Sequence, residues 1–181
     1  TEMRIQGGFS GAILVRKGGK VLFQTAVGFE DLKETRPLTY DSRFRIASMT
    51  KQFTAAAILK LAEQGGVDLQ DPVCEHLKEF CVAPFDEITI HHLLSHSSGL
   101  PRTSEDGEIW REYGTLPTPL AAYTELALQQ ELEFTPGQGA EYSNFGFRVL
   151  SHIIERRTGG ALSAYMRHNV FEPAGLQNSG I

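Results

Sequence analysis

Two apolar runs, Phe9 to Arg16 and Val21 to Phe29, stand on either side of Lys17-Gly18-Gly19-Lys20. Gly-Gly between β-prone runs predicts a tight antiparallel hairpin, because the favoured two-residue turns call for positive φ, which glycine adopts without a steric cost. The hairpin is apolar on both faces, with Ile13 and Val15 on one and Ala12 and Leu14 on the other. Two strands alone are only marginally stable, so this pattern calls for further strands or helices to cover it. Glu30 to Asp41 is polar, holds Pro37 and predicts a loop. The alternation Arg43-Phe44-Arg45-Ile46 that follows is too short to define a strand.

Beyond that point the period changes to that of a helix. Phe53, Ala57 and Leu61 recur at i+4 with Ile58 and Ala62 beside them, predicting a helix from Met49 to Gln64 that Gly65-Gly66 stops. Thr89 is placed to cap a short helix from Ile90 to Ser95. Pro101 to Pro117 is polar and predicts a long loop or lid, with Trp110 and Tyr113 as a substrate-touching or surface-anchoring pair. Thr118-Pro119 reads as a cap followed by proline at the first helical position, opening a helix to about Gln130. Thr135 to Gly139 forms a turn. Phe145 to Arg157 turns Val149, Leu150, Ile153 and Ile154 inward and ends at Gly159-Gly160, and a last helix runs from about Leu162 to Phe171. Nothing after Asn144 supplies the strands that the hairpin needs, so these residues read as part of a larger fold.

The 181 residues carry 17 basic and 22 acidic side chains, a net charge of −5. Without a basic patch the chain lacks the electrostatic footprint of a nucleic-acid binder. No apolar run approaches the ~18–20 residues that span a bilayer. The first residues lack the basic start and apolar core of a signal peptide, and a leader removed ahead of them leaves the compartment open. Cys74 and Cys81, seven apart, form no CxxC pair, and free thiols are the expectation. His91, His92 and His96 suggest a metal, but no carboxylate motif accompanies them, so a packing and hydrogen-bonding role is expected. The Gly-x-Ser-x-Gly turn of α/β-hydrolases does not occur.

Two places carry chemistry. In Ser48-Met49-Thr50-Lys51 the serine stands where extended chain gives way to helix, in the positive field of the helix N-terminus, with the lysine one turn on. A serine is a weak nucleophile until a neighbouring base takes its proton, and a lysine can serve. The alternative is a capping serine beside a solvated lysine. In Tyr142-Ser143-Asn144 an extended backbone puts Tyr142 and Asn144 on one side and Ser143 on the other. A phenol relays protons and an amide orients a carbonyl; otherwise this is a packing tyrosine ahead of a helix capped by Asn144.

Together these motifs resemble those of the serine β-lactamases and penicillin-binding proteins: the class C β-lactamases, D-Ala-D-Ala peptidases and the esterases that share their fold. The likeness runs along nearly the whole chain. It includes Phe44 to Thr54, Leu93-Leu94-Ser95-His96-Ser97-Ser98-Gly99-Leu100, Pro136-Gly137 ahead of Tyr142, and Phe171 to Leu176. It implies an α/β (α+β) fold in which a helical subdomain meets an antiparallel sheet. Residues 1–47 would supply the first strands, and residues 48–175 the mostly helical part. The family's third motif, Lys-Thr-Gly or His-x-Gly, does not occur in these residues, and the resemblance places it on strands that follow Ile181. It further implies acyl transfer through a covalent ester on Ser48, with Lys51 as the base for the attack, Tyr142 protonating the leaving group and later helping to activate water, and Asn144 holding the substrate; the choice between Lys51 and Tyr142 as base stays open. No metal or organic cofactor is implied. The implied partner is a small acyl substrate (ester, D-amino-acid peptide or β-lactam), in a periplasmic or secreted setting. The competing reading is a non-catalytic penicillin-binding module or an inactive fragment.

Overall fold

The computed structural model of the chain describes residues 9–102 and 118–181. They form two compact units, residues 1–45 and 46–181. The expected features of the Pro101–Pro117 segment, Trp110 and Tyr113 among them, lie outside the described residues.

The first unit is the hairpin, β1 (Gly11–Lys17) paired antiparallel with β2 (Lys20–Val27). Gly18 and Gly19 take φ of 55° and 77°, the doubly positive turn whose twist suits a two-residue connection. A register shift between Val15 and Arg16 leaves Leu22 as an extra residue on β2. Leu14, Val15, Val21, Leu22 and Phe23 are all exposed, and the sheet among the described residues is two-stranded. Past β2, Asp31 organises the loop by accepting bonds from the Thr35 amide and hydroxyl and from Arg36.

The second unit is helical. Its elements are α1 (Lys51–Glu63), α2 (Val73–His76), α3 (Ile90–Leu94), α4 (Leu120–Leu128), α5 (Asn144–Thr158) and α6 (Leu162–Met166), the last continued by a wider turn over Arg167–Phe171. The centre is α5, against which α1, α3, α4 and α6 pack. Its inward stripe Val149, Leu150, Ile153 and Ile154 is fully buried with Ile58, Leu77, Phe80, Ile88, Ile90 and Met166. Burying a side chain of this size from water contributes about 1.5–3 kcal/mol. This core holds α1 and the start of α5, the two elements that bear the chemistry, against each other.

Local differences from the sequence pattern have identifiable causes. Cys74 and Cys81 are bridged rather than free: α2 and the 3-10 turn Lys78–Phe80 fold the chain back until their Cα atoms are 4.8 Å apart, well within disulfide reach. Such bridges persist where thiols are not kept reduced. Helix α4 starts one residue later than its pattern suggests, so Pro119 occupies the cap with extended ψ rather than the first helical position. The cap of α5 is Ser143 and not Asn144, because Ser143 is the last residue in extended conformation and its Oγ accepts the Gly146 N–H.

Candidate active site

Ser48 lies in a 3-10 turn, Ala47–Thr50, immediately ahead of α1, which begins at Lys51 rather than at the expected Met49. The turn tightens because Ala47 takes φ of +46° and the Met49 N–H bonds back to the Ile46 carbonyl. A non-glycine residue held there costs on the order of 1–3 kcal/mol, which the surrounding packing must offset. The result presents an exposed Ser48 side chain at the mouth of α1, with Lys51 still one turn away. The Lys51 Nζ lies 3.5 Å from the Ser48 Oγ and donates to the Asn144 Oδ1 at 2.7 Å.

The strand-like stretch before α5 delivers the other two groups. The phenol of Tyr142 donates to the Ser48 Oγ at 2.5 Å. Ser143, between Tyr142 and Asn144, points the opposite way and is buried. There it caps α5 and donates its hydroxyl proton to the Pro101 carbonyl at 2.9 Å. The alternation predicted from the sequence therefore holds: Tyr142 and Asn144 meet Ser48 and Lys51, and all four expected residues come together.

A second layer supports them. His96, with φ of +60°, lays its ring against Tyr142 at 4.7 Å between centroids and against Phe147 at 5.1 Å. Its Nδ1 accepts the Ser143 N–H, which fixes the neutral tautomer protonated on Nε2. Burial, and then the nearby Lys51 charge, push the His96 pKa below its ordinary 6.5. The loop around it is closed by Gly99, where a Cβ would collide with the Phe134 carbonyl. His92 completes a reciprocal cap with Thr89 at the start of α3. His92 and His96 thus have structural partners, and among the described residues no group of three or more histidine, cysteine or carboxylate side chains is arranged to hold a metal.

The electrostatics centre on Tyr142. Burial raises its pKa, but hydrogen bonding with Lys51 and Ser48 and the charges of Lys51 and Arg102 outweigh it, so the phenol sits below its usual 10. Lys51 Nζ stands 4.6 Å from the ring centroid and the Arg102 guanidinium 5.4 Å. Neither Arg102 nor the Pro101 carbonyl was legible in the residue pattern, since both lie at the edge of a polar stretch without periodicity.

Residues 2–181 match the family described as Beta-lactamase. Penicillin-binding protein 4* of Bacillus subtilis (strain 168) is 32% identical over 176 residues, covering 96% of this chain and 38% of that protein. The crystal structure of a penicillin binding protein from Bacillus halodurans superposes with a TM-score of 0.82 at 34% identity, covering 94% of this chain and 53% of that one. The structure of EstCE1, described as a hydrolase with promiscuous acyltransferase activity, gives a TM-score of 0.76 at 27% identity, over 91% of this chain and 46% of that one. The chain belongs to the β-lactamase family of serine hydrolases, with the β-lactamase/transpeptidase-like fold. It spans a third to a half of the length of these relatives. Among the described residues, no helix is long and apolar enough to cross a membrane.

Proposed function

We propose that the chain carries the nucleophilic half of a serine hydrolase that works through a covalent acyl-enzyme. The observation that carries this reading is the placement of the Ser48 Oγ 2.5 Å from the Tyr142 phenol and 3.5 Å from the Lys51 Nζ. The Oγ attacks the acyl carbonyl carbon, its proton passes to the phenolate oxygen of Tyr142, and a C–O bond to serine forms. As the bond to the leaving alcohol or amine breaks, Tyr142 returns that proton to the leaving group. Water then attacks the ester carbonyl and gives a proton to Tyr142, which passes it to the Ser48 oxygen as the acid is released, restoring the hydroxyl and the phenolate. Lys51, bonded to Asn144 and facing the Tyr142 ring, favours the phenolate by its charge. Asn144 orients the substrate's amide or ester, and the Ser48 N–H supplies one donor to the oxyanion.

The substrate class is an acyl compound: an ester, a D-amino-acid peptide or a β-lactam. The relatives' names speak for penicillin binding and acyl transfer, and fold alone does not choose among these chemistries. Stopped-flow hydrolysis of p-nitrophenyl acetate tests the proposal. A burst of nitrophenolate stoichiometric with protein, lost in Tyr142→Phe, is expected. Linear release unaffected by Tyr142→Phe would count against a covalent route through this site.

A further inference from the structure

The ring of Tyr142 is approached by charged or titratable groups from two elements packed on it. Lys51 comes from α1, while His96 and Arg102 come from the segment after α3. His96 is held neutral by the Ser143 N–H at its Nδ1, and Lys51 is engaged with Ser48 and Asn144. Arg102 is different: its backbone is tied down and its guanidinium faces the Tyr142 ring. Its carbonyl accepts the Asn144 N–H at 3.0 Å, and the neighbouring Pro101 carbonyl accepts the Ser143 hydroxyl at 2.9 Å. These two bonds tie residues 101 and 102 to the residues that follow Tyr142, so the Arg102 side chain starts from a fixed backbone beside the phenol ring and its guanidinium lies 5.4 Å from the ring centroid.

A cation near an acid favours its charged form, and the attraction of a guanidinium for an aromatic face grows when that ring bears negative charge. We propose that Arg102 is a positioning residue for acyl transfer: fixed over Tyr142, it holds the phenolate within reach of Ser48 at a lower pH than Lys51 would achieve alone. The proposal rests on the acyl-enzyme reading above and adds a residue to it. The direction agrees with the net lowering of the Tyr142 pKa, to which the Arg102 charge contributes after Lys51 and Ser48.

The test is the pH dependence of Ser48 acylation by an uncharged probe, p-nitrophenyl acetate, between about pH 5.5 and 10, because an uncharged probe gives Arg102 no carboxylate to bind. Arg102→Gln should move the acid limb up by about half a unit to one unit, a shift at the low end for a cation at this range because the site is open to solvent. The rate at pH 7 should then fall by about 3- to 10-fold, with the alkaline plateau retained. Arg102→Lys should keep the parent's limb and Arg102→Glu should shift it beyond Arg102→Gln. A limb that stays with the parent in Arg102→Gln and Arg102→Glu overturns the proposal. So does an equal loss at every pH that Arg102→Lys does not rescue, which marks a merely structural role. Failure of the parent itself to acylate would overturn the acyl-enzyme reading instead, so the two failures are distinguishable.

Discussion

Ser143 carries two jobs in one buried hydroxyl, and removing it separates stability from chemistry. Its Oγ accepts the Gly146 N–H at 3.1 Å, capping α5, and donates to the Pro101 carbonyl at 2.9 Å. The side chain is almost fully buried, so neither partner regains water freely on its loss. Losing the cap costs about 1 kcal/mol, within a range of about 0.5–2. Stranding the half-buried Pro101 carbonyl costs about another 1 kcal/mol, at the lower end for an unsatisfied group. Ser143→Ala should therefore lose about 2 kcal/mol. With a urea m-value of about 2 kcal/mol/M, the midpoint followed by circular dichroism at 222 nm should fall by about 1 M. Ser143→Gly separates the terms, since glycine is nearly as good a cap as serine; it should lose about half as much. Under native conditions both variants should still acylate at Ser48, because Ser143 faces away from it; loss of one of the two bonds that tie residues 101 and 102 should lower the rate no further than Arg102→Gln does. A Ser143→Ala midpoint within about 0.2 M of the parent, or an acylation rate that collapses while the fold persists, would refute this assignment.

Three further outcomes follow from the same geometry. Burial lowers the pKa of His92, His96 and His152, seconded at His92 by His91 and at His96 by Lys51. The unfolded chain, with histidines near 6.5, then binds more protons in acid, so stability is full above about pH 6.5 and declines as pH falls through the lower folded values. The urea midpoint should drop between pH 7.5 and pH 5, and a flat or rising midpoint would contradict it. Replacing Cys74 and Cys81 together by serine should cost about 2–3 kcal/mol, the chain-entropy value for so short a loop, as read by urea unfolding under non-reducing conditions; no loss would show that the bridge does not constrain the unfolded chain. Lys51→Arg keeps a positive charge but replaces the compact ammonium between Ser48 and Asn144, so acylation should fall by at least about 100-fold with circular dichroism unchanged. Acylation within a few-fold of the parent would remove Lys51 from the chemistry.

The parts of this molecule that were legible in the sequence are those that local rules govern. The hairpin turn, the inward stripe of α5 and the stops at Gly65 and Gly159 each follow from residues close together in the chain. The alternation at 142–144 was legible for the same reason, and it correctly put Tyr142 and Asn144 on one side. What escaped depends on contacts between distant residues. The left-handed Ala47, a residue with no local reason to adopt that φ, opens a 3-10 turn over Ala47–Thr50, so that α1 begins at Lys51 and not at Met49. The bridge of Cys74 to Cys81 needs the fold-back through Phe80, which spacing alone does not reveal. Arg102 reaches Tyr142 only because Ser143 and Asn144, some forty residues away, fasten its backbone.

The central claim is that Ser48 is the acylated residue, and locating the adduct tests it most directly. The protein is incubated with a fluorophosphonate and, separately, with a penicillin, and the modified peptide is identified by mass spectrometry. The account predicts a single adduct on Ser48, abolished in Ser48→Ala and retained in Ser97→Ala. An adduct on another serine, or one that survives in Ser48→Ala, would contradict it.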